Sequence, residues 1–180
     1  MDIGRQFQLW ETEGKLDIPH DQIQSWLKEQ NPDTWHKIAM SWHYDYDPSP
    51  LLWIVNQPDC DFGTACQIFG TEGHSFMTTP TWQELGDSAH QASWKMCNTI
   101  VERWQANSFA TADLKPATGA MRTYQIMAPR HKDAGTPLTW DVPDHVFHYE
   151  GTRDAQSQYT SFEGQIYWNF DFWQKLAGFT

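Results

Sequence analysis

The chain has 180 residues, 39% of them hydrophobic, enough for one domain with a real core. Twelve Lys and Arg against 23 Asp and Glu give a formal net charge of −11, a balance that disfavours nucleic acid and anionic membranes and attracts basic proteins. No run approaches the roughly 18 apolar residues a membrane span requires, and MDIGRQFQLWETEGK lacks the basic-then-apolar order of a secretory leader, so a cytoplasmic protein is expected.

Residues 1–30 read as an N-terminal arm followed by a short helix. QFQLW suits a short strand or an arm, and HDQIQSWLKEQ places Ile23, Trp26 and Leu27 on one stripe. Residues 31–109 read as a helical core domain. In NPDTWHKIAMSW, Asn31 is an N-cap, Pro32 fits the first helical position, and Trp35, Ile38, Ala39 and Trp42 share a face. PSPLLWIVNQP follows as a compact helix carrying Leu51, Leu52, Ile54 and Val55, started by Asp47 or Ser49. DCDFGTACQIFG repeats the pattern, with Asp61 as N-cap, Phe62, Ala65, Cys66 and Phe69 on one face, and Gly70 closing the helix.

Residues 71–87 are rich in Thr, Gly and Pro and read as a loop or lid. SAHQASWKMCNTIVERWQ then forms the one long helix, with Ala89, Ala92, Met96, Cys97, Ile100, Val101 and Trp104 inward. Residues 110–180 change character and read as an aromatic C-terminal extension packed on the core. Its breaker-rich stretches separate RTYQIM, HVFHYEG and QIYWNF, short aromatic segments expected as strands or irregular chain, before a last helical turn at FWQKLA. The expected class is mainly α: a compact array of short helices plus one long helix, with a small β or irregular C-terminal extension. Most of the eleven tryptophans fall at core spacing, and Cys66 and Cys97 face the same interior as small hydrophobes.

Chemistry is offered first by SWHYDYDPSP. In an extended ribbon His43, Asp45 and Asp47 project from one face and could ligate a transition metal, the basis of a metal-dependent hydrolase reading. At a helix start the same carboxylates are caps beside the positive end of the dipole. Asp59 and Asp61 in PDCDFG carry the same two readings. His145 and His148 fall on opposite faces of a strand, and neither GxSxG nor GxxxxGK occurs. A second feature is a charge run. From residue 38 to 94 there is no Lys or Arg, while Asp45, Asp47, Asp59, Asp61, Glu72, Glu84 and Asp87 sit at predicted turns or helix starts. Such groups can converge into one acidic face that steers a basic partner. Exposed Trp would instead suit a carbohydrate-binding module.

The stretch WHKIAMSWHYDYDPSPLLWIVNQPDCDFGTACQIFG resembles a bacterial family of small helical domains of unknown function. The likeness rests on Ile38, Ala39, Trp42, Tyr44 to Asp47, Pro58, Cys60, Asp61, Gly63, Thr64, Ala65, Ile68 and Phe69, and extends over residues 33–107. Such domains are similar in size and setting to immunity proteins kept beside secreted toxins. That resemblance implies a non-enzymatic cytoplasmic protein, without cofactor, that binds a cognate and basic antibacterial toxin and occludes its active site. The expected contact residues are Asp45, Asp47, Asp59, Asp61 and Glu72, with Trp82, Tyr149 and Trp168 as aromatic anchors.

Overall fold

The computed structural model describes residues 20–42 and 47–156, together with the backbone of 160–162 and 165–167. The QFQLW and FWQKLA expectations, and residues His43, Asp45 and Trp168, lie outside the described residues.

Helix α1 spans His20–Leu27 and buries Trp26 and Leu27. Asn31 begins α2 (Pro32–Ser41), its side-chain oxygen accepting from the Thr34 amide at 2.9 Å. Helix α3 (Ser49–Val55) starts where Asp47 Oδ1 accepts from the Ser49 amide at 2.7 Å, and it buries Leu51, Ile54 and Val55. Helix α4 (Phe62–Glu72) is capped by Asp61 and is buried along its whole length from Gly63 to Gly70. A helix apolar on nearly every side belongs in the middle of a core. It packs against α2 and against α5 (Ser88–Gln105), which in turn packs on α3.

Asp87 caps α5 by accepting from the His90 amide at 2.8 Å. Inward it presents Met96, Cys97, Ile100, Val101 and Trp104, but Ala89 is exposed and Ala92 half-buried, because the first turn runs beyond the edge of α4. Near its other end the Arg103 guanidinium donates to the carbonyls of Val55 and Gln57 at 2.7 and 2.9 Å and lies 4.1 Å from the Phe109 ring centre. One cation thus ties the end of α3 and the following turn to α5.

Three sequence expectations are corrected. RTYQIM is not a strand: residues Arg122–Asp133 form a helix, α6. Its pattern is obscured because only Tyr124 and Ala128, an i, i+4 pair, are fully buried. HVFHYEG is a 3₁₀ turn over Asp144–His148. Gly70 does not close α4, which continues to Glu72. The strands that are present, β1 (Thr160–Phe162) and β2 (Gln165–Tyr167), form an antiparallel pair with Ser161 opposite Ile166.

Phe69 sits at the centre, its ring 5.0 Å from Trp104, 5.1 Å from Tyr124 and 5.6 Å from Trp140. Trp140 donates its indole N–H to Asn98 at 3.1 Å, and its carbonyl accepts from the Tyr124 hydroxyl at 3.3 Å. Large rings therefore fill the space between α4, α5 and α6; the polar edges of Trp140 and Tyr124 are satisfied, whereas the buried Trp104 indole N–H has no hydrogen-bond partner among the described residues.

Glycine is required where α4 meets another backbone. A Cβ at Gly63 would lie 1.8 Å from the Leu114 carbonyl oxygen, and one at Gly70 would lie 2.3 Å from that of Ala120. Gly86 has open space around its missing Cβ. Gly63→Ala should therefore lose about 3 kcal/mol of stability through overpacking. Gly86→Ala should stay within about 0.5 kcal/mol of the parent, as surface substitutions do. Urea titrations of the two variants make the comparison.

Candidate functional site

Helix α4 carries a stripe of Gly63, Gln67 and Gly70 at i, i+4 and i+7, a shallow groove with one amide side chain in its middle. Residues 111–120 lie in this groove as a strap running in the same direction as the helix. Leu114 sits over Gly63, Ala117 donates its amide to Gln67 Oε1 at 2.9 Å, and Ala120 sits over Gly70.

Asp61 fixes the start of the strap. It is 2% exposed, and Oδ1 accepts from the amides of Gly63 at 2.7 Å and Leu114 at 3.2 Å, while Oδ2 accepts from Asp113 at 2.9 Å. Three amides replace the water that a buried carboxylate would otherwise demand. His36, fully buried on α2, holds the next residue. Its Nε2 lies 2.9 Å from the Lys115 carbonyl and its Nδ1 2.9 Å from Thr64 Oγ1 on α4. A carbonyl can only accept, so the neutral ring carries its proton on Nε2 and accepts the threonine proton on Nδ1. Burial pushes the His36 pKa below its ordinary value of 6.5, with the Lys115 carbonyl and the Asp61 charge opposing the shift.

Residues 149–156 close over the strap. Tyr149 donates its hydroxyl to the Leu114 carbonyl at 3.2 Å, and the Lys115 amide donates to the Arg153 carbonyl at 3.0 Å. Gly151, at φ +66°, brings its backbone against Leu114 where a Cβ would lie 2.6 Å from oxygen. The Arg153 guanidinium then makes a two-pronged contact with Asp33 of α2 at 2.7 and 2.9 Å, holding that carboxyl below its ordinary range. His36 and Gln67 were not singled out in the sequence, and Thr64 only as part of the family resemblance. The available signal was the presence of polar residues within apolar helical stripes.

The acidic face expected from the sequence is not one surface. Asp61 is buried and engaged, because the cap of a central helix has no route to solvent. Asp59 is exposed beside the start of α4, near Arg103 on α5. Glu72 ends α4 and is within reach of Ser93 and His90, with burial raising its pKa. The two helices are therefore antiparallel, and 11 residues of α4, about 16 Å of rise, separate the two ends. Asp47 is half-buried and its carboxylate accepts from the Ser49 amide at the start of α3, just ahead of Pro48 at the cap position. Tyr149 is half-buried, but its hydroxyl is committed to the Leu114 carbonyl and its ring lies 4.7 Å from Phe62, so it serves the strap and is removed from the set of surface anchors.

At the far end Glu72, Glu84 and Asp87 surround the start of α5. Asp87 contacts the His90 ring, and both are exposed. Trp82 is half-buried with the Lys95 ammonium 4.0 Å from its ring centre. The three thiols are buried, which raises the pKa of each; Cys60 is pushed up to about 12. Among the described residues no group of three His, Cys, Asp or Glu side chains is placed to hold a metal ion, and no helix is long and apolar enough to cross a membrane.

Residues 30–104 match the family model described as a domain of unknown function, DUF4274. The match covers α2 to α5, including the Asp61 cap and the groove on α4, and stops before the strap. It agrees with the resemblance to small helical domains of unknown function. No curated protein and no solved structure matches the chain.

Two outcomes test the seam. Asp61→Asn places an amide N–H₂ against one of the strap amides in either flip, and should cost about 2–3 kcal/mol in chemical denaturation, the range for a buried group left unpaired. The second concerns pH. The folded pKa of His36 is depressed, so the unfolded chain binds the extra proton first. Its contribution is complete above 6.5 and declines as pH falls toward the folded value. Asp33 is shifted below 3.8 and so titrates outside this window, whereas Glu72, shifted upward, acts with the opposite sign. The melting temperature of the parent should therefore fall relative to His36→Gln between pH 7.5 and pH 5.5, and equal pH profiles would refute this assignment.

Proposed function

We propose that this protein is a cytoplasmic immunity protein, one that binds a cognate secreted antibacterial toxin with a basic surface and occludes its active site. The observation that carries the reading is the division of polar groups between inside and outside. Asp61, His36, Thr64 and Gln67 are committed to the strap. Glu84 and Asp87 remain exposed beside half-buried Trp82, with Glu72 behind them. Exposed carboxylates around an aromatic suit capture of a cationic protein: charge speeds the encounter, and the ring supplies area for slow release. The net charge of −11 acts in the same sense. This contact set keeps Glu72 and Trp82 from the sequence expectation, adds Glu84 and Asp87, and leaves Asp59 at the opposite end.

Co-expression with the protein encoded by the adjacent gene tests the reading. Growth arrest by that neighbour alone, relieved in the presence of this chain through a stoichiometric complex, is the expected result. A neighbour that is harmless, or that is toxic yet forms no complex, would remove it. Within such a complex, Glu84→Lys with Asp87→Ser should slow association about tenfold at low salt, because steering acts on the on-rate. Serine retains the cap of α5. Asp59→Asn, at the other end, should leave association unchanged in stopped-flow measurements.

A further inference from the structure

Helix α6 departs from the rest of the chain in charge and in construction. From Leu114 to Lys132 the sequence holds Lys115, Arg122, Arg130 and Lys132 and no Asp or Glu, within a chain of net charge −11. Tyr124 and Ala128 point inward. The opposite stripe presents Arg122, Ile126, Pro129 and Arg130, all exposed. Ile126, at 45% exposure, is the one exposed large hydrophobic among the described residues. The ion pairs among those residues involve none of the α6 cations.

Helix stability does not account for this face. Arg130 and Lys132 complement the negative end of the helix dipole, but Arg122 stands at the positive end, where a cation is unfavourable. The first turn has no acidic residue, and Met121 at the cap position makes no side-chain bond to the helix. Pro129 lies inside the helix, where it removes the amide that would bond the Gln125 carbonyl and crowds the preceding turn. Its exposure means that no burial offsets this cost. Local rules broken on a solvent-facing stripe, without a packing gain, are a mark of function.

We propose that the outward face of α6 is a docking site for an acidic, partly apolar segment of a partner protein. Ile126 and Pro129 form a small apolar centre, and Arg122 and Arg130 stand one turn before and one turn after Ile126, at positions suited to paired carboxylates. The site is at a different element from the acidic end that would meet a basic toxin, and it stands whether or not that reading holds.

The full chain is titrated with a fluorescein-labelled peptide rich in Glu and Leu, with a labelled single-stranded oligonucleotide in parallel, and its sedimentation is followed over a range of concentrations. Saturable peptide binding is expected, weakened at least tenfold by Arg122→Glu with Arg130→Glu and several-fold by Ile126→Ser. The same double variant should melt close to the parent, since Glu in the first turn gains against the dipole about what Glu in place of Arg130 loses in the last turn, and Pro129→Ala should melt higher. Thus loss of binding is separable from loss of fold. Absence of peptide binding, equal binding by the double variant, or preference for the oligonucleotide would overturn the proposal. So would a concentration-dependent dimer abolished by those substitutions, which would identify the occupant as a second copy of this chain.

Discussion

The carboxylate of Asp61 joins the start of α4 to amides 52 and 53 residues further along the chain. One oxygen caps the helix and also receives Leu114; the other receives Asp113. Because the carboxylate is buried, these bonds are mutually dependent: displacing the strap would leave the charge with the Gly63 amide but without its other two donors, and removing the charge would leave amides without acceptors. Strap and helix are therefore held as one unit. The glycines of α4 permit the approach, and Asp61 fixes the position along it.

Further layers depend on that contact. His36 can bridge α2 to Lys115 only because Leu114 is already seated at Gly63. Tyr149 and the backbone at Gly151 meet the same Leu114 carbonyl region from the other side. Arg153 then reaches Asp33, returning the chain to α2. Residues usually read as chemical equipment, a buried His with a Thr and a buried Asp, here form a fastening whose hydrogen-bonding capacity is directed at backbone. Among the described residues, two charged surfaces stand apart from this fastening: carboxylates beside Trp82 at one end of the α4–α5 pair, and a cationic stripe on α6.

Legibility in the sequence followed the range of the interactions. Asn31, Asp61 and Asp87 cap helices through amides within three residues, so local spacing located α2, α4 and α5. The stripes of Ile54, Phe69, Ile100 and Trp104 are likewise local. Helix α6 was read as strand or irregular chain because its buried contacts are few and its proline, exposed isoleucine and leading arginine all argue against a helix. The expected acidic face failed for a related reason. Seven carboxylates close in sequence were assigned to one surface, but the antiparallel arrangement of α4 and α5 puts Asp59 and Glu72 at opposite ends and buries Asp61 between layers.

The order of residues by itself thus determined the helical class, the caps, the apolar stripes and the overall negative charge, since each depends on side chains within a turn or two of one another. Which carboxylate faces water, which histidine is locked neutral, and why glycine stands at 63 and 70 were decided only by the tertiary structure. Those properties depend on a backbone segment some fifty residues away settling into a groove, and no local pattern records where a distant strand of chain will lie.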